Sequence, residues 1–153
     1  MQIDKSKIKW CARQSKGMQL IEAKPHLSDA HMKEADETLD NVFSATGKWK
    51  LITAYYACYN ALYSLLMKCG IKCEIHDCTL ELMELFGFEA LDINYIRELK
   101  EGRIQAQYYL QSLILEDEQK VKKFVLRCKT ILADLDSEKI ESIRKKIKNI
   151  MDN

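Results

Sequence analysis

The stretch LITAYYACYNALYSLLMKCG, Leu51 to Gly70, decides the fold. Its aromatic and aliphatic residues occupy more than one face of a helix, which is typical of a helix surrounded by others. Gly70 follows as a stop signal, because glycine readily adopts the left-handed backbone that often ends a helix. The sequence therefore predicts a central helix that ends near Cys69, with the rest of the chain packed around it.

The remaining sequence is also helical in pattern. The 153 residues include one proline and five glycines, and no run alternates apolar and polar residues as a strand would. We therefore predict an all-α fold, an up-and-down bundle of about five to six helices. The bundle is expected to span residues 28–135, between an N-terminal extension, 1–27, and a C-terminal amphipathic helix, 136–153.

The predicted C-terminal helix has one narrow apolar stripe. Its isoleucines recur at three-four-three spacing, at Ile140, Ile143, Ile147 and Ile150. An isolated helix of this length is marginal in water, so the stripe must be buried against something. Three partners are open: the N-terminal arm with Ile3, Ile8 and Trp10, a second subunit, or another protein.

Charge and hydropathy limit the functional classes. Lys and Arg number 24 and Asp and Glu 23, so long-range attraction supplies no affinity for nucleic acid, and any RNA contact needs a local patch. The central apolar run is broken by Thr, Asn, Ser and four tyrosines, which indicates neither a membrane span nor a signal peptide. We therefore expect a cytoplasmic protein. No Walker loop, dinucleotide-binding turn or metalloprotease motif is present, so we expect no cofactor.

Six cysteines raise the question of disulfides or a metal site. Without a secretory signal, we expect them to be reduced, with Cys58 and Cys128 as core residues. The cluster CGIKCEIHDC contains zinc-type ligands, at Cys69, Cys73, His76 and Cys78. Its spacing is not that of paired zinc-binding cysteines, so we favour a connection between helices and expect no metal.

The segment from Ala54 to Met83 resembles the central block of HEPN domains, which are small helical bundles. These often show an A-x-Y-A-x-(Y/F)-x-A helix, a glycine stop, a loop histidine and a short apolar helix. The matching residues are Ala54, Tyr56, Ala57, Tyr59, Ala61, Gly70 and His76. RIQAQYY resembles the later R-x-x-A-D-Y helix of one branch, with Arg103, Ala106 and Tyr108 matching and Gln107 in place of the Asp.

The resemblance implies one of three roles. Some HEPN domains are metal-independent ribonucleases that act as toxins or defence effectors, some are partners of minimal nucleotidyltransferases, and some are binding modules. The nuclease branch places a histidine after its arginine with four to six residues between them, and two such pairs meet across a homodimer. Here Tyr108, Tyr109 and Leu110 fill that window, so the histidine is missing.

The missing histidine matters chemically. Metal-free RNA cleavage needs a base and an acid, and imidazole suits both because its pKa lies near neutrality. Tyrosine is a poor general base, while arginine can hold a phosphate but cannot exchange protons. His76 or His31 would have to approach Arg103 from another helix. We therefore expect an RNA- or nucleotide-associated binding module, with a ribonuclease using Arg103 and His76 or Tyr108 as the alternative and a purely structural protein as the third.

The candidate ligand-binding residues are Arg103, Gln107, Tyr108, Tyr109 and His76. In an unbroken helix Arg103 and Tyr108 are about 140 degrees apart, so their side chains are not expected to meet without a kink or a second subunit. Arg103 as a solvated residue and His76 as a helix-entry residue are the plainer interpretations. The spacing of Tyr55, Tyr56, Tyr59 and Tyr63 favours core packing over base stacking. A homodimer and a nucleotidyltransferase are the expected partners.

Overall fold

A computed structural model describes residues 3–153 and shows an all-α protein. Within this range it has seven α-helices, one 3-10 helix, Met83–Phe86, and one antiparallel ribbon of two short strands. The helices are α1 Lys5–Arg13, α2 Pro25–Ser44, α3 Lys48–Lys68, α4 His76–Glu81, α5 Ala90–Tyr108, α6 Glu118–Asp134 and α7 Ser137–Asp152. The strands are β1 Gln19–Leu20 and β2 Ile71–Lys72. The predicted fold class is confirmed, and the helix beyond the expected five to six is α1 in the N-terminal extension.

The α3 helix is the centre of the bundle, as predicted. It packs against α2, α5 and α6. Most of its side chains are buried, including polar Ser64, which donates its hydroxyl to the Ala61 carbonyl oxygen at 2.7 Å. Gly70 follows α3 with φ +69°, the left-handed conformation that its glycine predicted.

The N-terminal extension and the C-terminal helix pack against each other. Ile143, Ile147 and Ile150 of α7 are buried, and α7 contacts α1. Arg144 also holds α7 in place, because its Nη1 donates to the carbonyl oxygens of Ile21, Cys69 and Gly70 at 2.8–3.0 Å. Of the three partners considered for the isoleucine stripe, the structure shows the N-terminal arm.

The expectation that all cysteines are reduced is wrong in this structure. A disulfide joins Cys11 of α1 to Cys78 of α4, across 67 residues of sequence. Cys58, Cys69, Cys73 and Cys128 are free and buried. Because Cys78 is bonded to Cys11, the cluster that resembled a zinc site does not form a ligand set, and no group of metal ligands is found within residues 3–153.

Across the part of the chain that the structure describes, no helix has the length and apolar character needed to cross a membrane.

Candidate functional site

The candidate site lies around Arg103, where α3, α4 and α5 meet. Arg103 is only 7% exposed, so the interpretation of this residue as a solvated one is wrong. Its guanidinium carbon lies 4.9 Å from the ring centre of Tyr55 and 5.5 Å from that of Tyr56. Stacking on aromatic faces stabilises a cation that burial would otherwise penalise. The Arg103 guanidinium therefore packs against tyrosine rings of the central helix.

The third aromatic ring beside Arg103 is Tyr108, at 5.9 Å from the guanidinium carbon. The expectation that these two side chains do not meet is wrong. Helical angle describes where Cβ atoms point, whereas arginine and tyrosine are long enough to bend towards each other. Tyr108 is also the last residue of α5, so no further helical turn occupies the space beside its ring. Neither a kink nor a second subunit is needed.

The guanidinium of Arg103 keeps unused hydrogen-bonding capacity. Its Nη1 donates to Gln107 Oε1 at 3.4 Å, which is near the upper limit for such a bond. Its Nε is buried and has no partner among residues 3–153. Buried polar groups usually have a partner, and an arginine carries five N–H donors. The arrangement can accept an anion that the described residues do not supply.

His76 enters the same cluster from the start of α4. Its Nδ1 lies 2.7 Å from the Tyr55 hydroxyl, and its ring stacks on Tyr59 with the ring centres 3.9 Å apart. Burial raises the pKa of Tyr55, so its hydroxyl stays protonated, and it donates to Nδ1 or accepts from it according to the imidazole tautomer. Burial, together with the nearby charges of Arg103 and Lys100, lowers the pKa of His76. The imidazole is therefore neutral near pH 7, with Nδ1 engaged by Tyr55.

His76 should make stability fall as the pH is lowered. In the unfolded chain an imidazole takes up a proton near its ordinary pKa of 6.5, whereas the folded protein resists it. The stabilisation is therefore complete above this value and is lost as pH falls through the lower pKa of the folded state. Between about pH 7.5 and about pH 5, we expect the melting temperature of His76→Asn to fall a few degrees less than that of the wild type. The side-chain amide of asparagine can accept a hydrogen bond near the position of His76 Nδ1, but it does not titrate.

The control for the pH measurement is His26→Asn, which removes an exposed histidine from α2. This variant should keep the pH dependence of the wild type, as measured by thermal melts followed by circular dichroism. An equal loss of melting temperature in the wild type and His76→Asn would contradict the assignment of this pH response to His76.

A second cation stands one turn before Arg103. Lys100 Nζ lies 2.9 Å from Asp77 Oδ1, which joins α5 to α4. The hydrogen bond from Lys100 lowers the pKa of Asp77, so the carboxylate remains ionised near neutral pH. This pair fixes α4 relative to the helix that carries Arg103. Asp77 neutralises Lys100, whereas Arg103 forms no ion pair within residues 3–153.

The other candidates are placed differently. Gln107 contacts Arg103, but Tyr109 is 68% exposed beyond the end of α5. His31 bonds to Asn60 at 3.2 Å and lies edge-on to Tyr63, which leaves it outside the cluster. Of the predicted candidates, the structure therefore brings Gln107, Tyr108 and, through Tyr55, His76 to Arg103.

The sequence analysis missed the roles of Tyr55 and Tyr56. Tyr55 is fully buried, as core packing predicts, yet it contacts both His76 and Arg103. Tyr56 is 36% exposed and offers an accessible edge beside Arg103. A signal was present, since adjacent residues on one helix point to different faces, which predicts different surroundings for Tyr55 and Tyr56.

A scan against protein-family models and a search of curated proteins found nothing that matches this chain. The Arg103 cluster combines a mostly buried cation, without an ion-pair partner in residues 3–153, with two partly exposed aromatic rings, Tyr56 and Tyr108. It can hold an anionic group and stack a flat ring beside it.

Proposed function

We propose that the protein is an HEPN-like binding module for RNA or nucleotides, with Arg103 as the phosphate-binding residue. The observation that carries the proposal is the guanidinium of Arg103, which is buried between tyrosines and has an Nε without a partner among residues 3–153. Phosphate is the ligand that best matches such a group, because a planar guanidinium can donate two parallel hydrogen bonds to its oxygens.

The tyrosines supply the second half of the ligand chemistry. Tyr108 is 65% exposed and Tyr56 36%, and both rings lie within 6 Å of the Arg103 guanidinium carbon. Proteins that bind nucleic acid without regular base pairing place aromatic faces beside cations, so that a base stacks while the adjacent phosphate is held. A ligand with phosphate and base in neighbouring positions fits this arrangement better than an inorganic anion does.

A ribonuclease is the second candidate, because Tyr55 links the arginine to a histidine. The Tyr55 hydroxyl bonds to His76, and its ring lies against Arg103. The imidazole that α5 lacks is thus supplied from α4. With Nδ1 occupied by Tyr55, Nε2 is the atom that would exchange a proton with RNA, and Arg103 would stabilise charge on the phosphate.

The proposal includes a homodimer and, in a two-gene system of toxin-antitoxin or defence type, a nucleotidyltransferase partner. Exposed apolar side chains near the site support a partner surface: Tyr109, Leu110 and Ile114 are 68–77% exposed and Trp49 is 59% exposed. Patches of this kind often mark interaction sites. Light scattering of the samples used for binding measures self-association directly.

The binding test compares Arg103→Ala with the wild type by fluorescence anisotropy of labelled single-stranded RNA and of ATP. Loss of a charge-assisted contact to phosphate should weaken binding by about tenfold to a hundredfold. Arg97→Ala is the matched control, since Arg97 is exposed on the same helix and pairs with Glu81. Circular dichroism must show that both variants are folded, because Arg103 is buried.

Three outcomes separate the candidate functions. Weak binding by Arg103→Ala with normal binding by Arg97→Ala supports the binding module. Metal-independent cleavage of total RNA that disappears in both Arg103→Ala and His76→Ala supports the ribonuclease. If the wild type binds neither RNA nor nucleotide and cleaves no RNA, the proposal fails and a purely structural role takes its place.

A further inference from the structure

The Cys11–Cys78 disulfide connects the N-terminal arm to the helix that carries His76. Cys78 is two residues after His76 and one after Asp77, all within the six residues of α4. Cys11 lies on α1, which packs against both α7 and α4. A covalent bond thus joins the layer formed by α1 and α7 to one wall of the candidate site.

The α4 helix is held by three buried side chains, Cys78, Thr79 and Leu80, and by polar contacts on two sides. It is shorter than two helical turns and cannot be stable alone. Side-chain bonds hold it on one side, from His76 to Tyr55 at 2.7 Å and from Thr79 to Tyr59 at 3.1 Å. On the other side, the disulfide and a hydrogen bond from the Asp4 amide to Glu81 at 3.2 Å hold it to the N-terminal arm.

We propose that the Cys11–Cys78 disulfide is a redox switch for the Arg103 site. When it is formed, α4 holds His76 against Tyr55 and Asp77 against Lys100. The tyrosine rings that pack against Arg103 then keep their positions. When it is reduced, α4 is released from the N-terminal arm and the ligand is bound more weakly. The proposal rests on the proposed function for its ligand, but the movement of α4 is measurable without one.

The switching reaction requires a dithiol reductant. A thiolate of the reductant attacks one cysteine sulfur, which breaks the Cys11–Cys78 bond and forms a mixed disulfide. The second thiol of the reductant then displaces the protein sulfur. The two cysteines gain two electrons and two protons in total, and the reductant leaves as a cyclic disulfide.

Access to the disulfide comes through α1. Both cysteines are 1% exposed, so the reductant can reach them only when a local segment opens. The α1 helix has nine residues, of which only Ile8 and Cys11 are buried. Short elements with few buried side chains open at lower free energy than the core. Reduction therefore follows opening of α1 and leaves the bundle around α3 intact.

The four other cysteines allow the reaction to be followed cleanly. All are buried, and burial raises the pKa of Cys69 to about 12, so this thiol stays protonated and unreactive. Burial likewise raises the pKa of Cys58 and of Cys128. Alkylation of the folded protein after mild reduction should therefore label Cys11 and Cys78 first, as mapped by mass spectrometry.

The test compares three forms of the full chain: oxidised wild type, wild type reduced with dithiothreitol, and Cys11→Ala. Cys128→Ala is the control, since it truncates an equally buried cysteine that forms no disulfide. Hydrogen exchange reports the mobility of α4, and the NMR titration of His76 reports whether the imidazole has left its buried position. RNA affinity is measured by fluorescence anisotropy on the same samples.

We expect faster hydrogen exchange in α4, a His76 pKa closer to 6.5 and RNA binding at least about tenfold weaker in the reduced wild type and in Cys11→Ala. Exchange in α3 should not change with the redox state, and Cys128→Ala, which keeps the Cys11–Cys78 disulfide, should respond to reduction as the wild type does. If Cys11→Ala does not fold, the reduced wild type alone decides the result.

Two results would overturn the switch: unchanged α4 exchange and His76 titration on reduction, or a mobile α4 with unchanged RNA affinity. Absence of RNA binding by the oxidised wild type is a different failure. It overturns the proposed function and with it the control of ligand binding, while the α4 measurements still establish whether the disulfide holds His76 in place.

Discussion

Replacing Ile143 and Ile147 together by Asp should lower the melting temperature by about 10 °C or more, or prevent folding altogether. Ile147 is fully buried and Ile143 is 6% exposed, both on the face of α7 that packs into the core. A carboxylate placed there loses its hydration without gaining a partner, and the apolar contacts of the isoleucine are lost as well. Both losses destabilise α7, and together they should lower the free energy of unfolding by several kcal/mol.

A matched control places the same two charges on the solvent side of α7. Ser142 and Asn149 are both exposed, so Ser142→Asp with Asn149→Asp should change the melting temperature by only a few degrees. Equal melting temperatures in the two double variants would contradict burial of the stripe. Hydrogen exchange should also show that the loss of Ile143 and Ile147 exposes α1, because α1 contacts α7.

This packing explains how far the sequence could predict the fold. The stripe of isoleucines, the apolar surface of α3 and the glycine after Cys69 are local signals, readable from spacing and residue type. They placed the central helix and the buried face of α7 correctly. The partner of that face was left open, because the N-terminal segment contains few large apolar residues and its helix is only nine residues long.

The disulfide could not be predicted for a different reason. Cys11 and Cys78 are 67 residues apart, and nothing in their local sequence indicates that α1 and α4 become neighbours. Cys78 also lies in a cluster that suggested zinc, which drew attention to the wrong partners. Cysteine pairing depends on distances that only the tertiary structure supplies.

The candidate site falls between these cases. Arg103 and Tyr108 were identified from the resemblance of RIQAQYY to the R-x-x-A-D-Y helix, but angular spacing wrongly separated them, since it ignores the reach of long side chains. His76 was recognised as a candidate, yet its link to Arg103 runs through Tyr55, a residue that apolar spacing assigned to the core. A buried tyrosine can fill the core and still direct its hydroxyl to a site, and sequence periodicity does not distinguish the two roles.

Substituting Gly70 by Ala should lower the melting temperature by several degrees more than the same change at Gly87. Both glycines have positive φ, +69° and +85°, so both pay the cost of about 1 kcal/mol for placing a Cβ in left-handed backbone. Their surroundings differ. A Cβ at Gly87 meets nothing within 4 Å, whereas one at Gly70 comes within 2.6 Å of Arg144 Nη1 and 2.9 Å of the Ala23 amide nitrogen, and closer still to the Ile21 carbonyl oxygen.

The clash at Gly70 occurs where hydrogen bonds join three segments of the chain. Arg144 Nη1 donates there to the carbonyl oxygens of Ile21 and Gly70, and the Ile21 amide donates to the Gly70 carbonyl at 2.8 Å. Moving any of these atoms leaves buried carbonyls without donors, so steric strain and lost hydrogen bonds should add about 2–4 kcal/mol to the backbone cost.

The comparison of Gly70→Ala with Gly87→Ala therefore separates the steric effect from the backbone effect. We expect Gly87→Ala to melt a few degrees below the wild type and Gly70→Ala to melt about 10 °C below it, measured by circular dichroism at equal concentration. Hydrogen exchange should locate the additional loss in α7 and β1, since Arg144 joins these elements to the end of α3. If the two alanine variants have the same melting temperature, the atoms around Gly70 can move without loss of stability. Such a result would contradict the role of Arg144 in holding α7 in place.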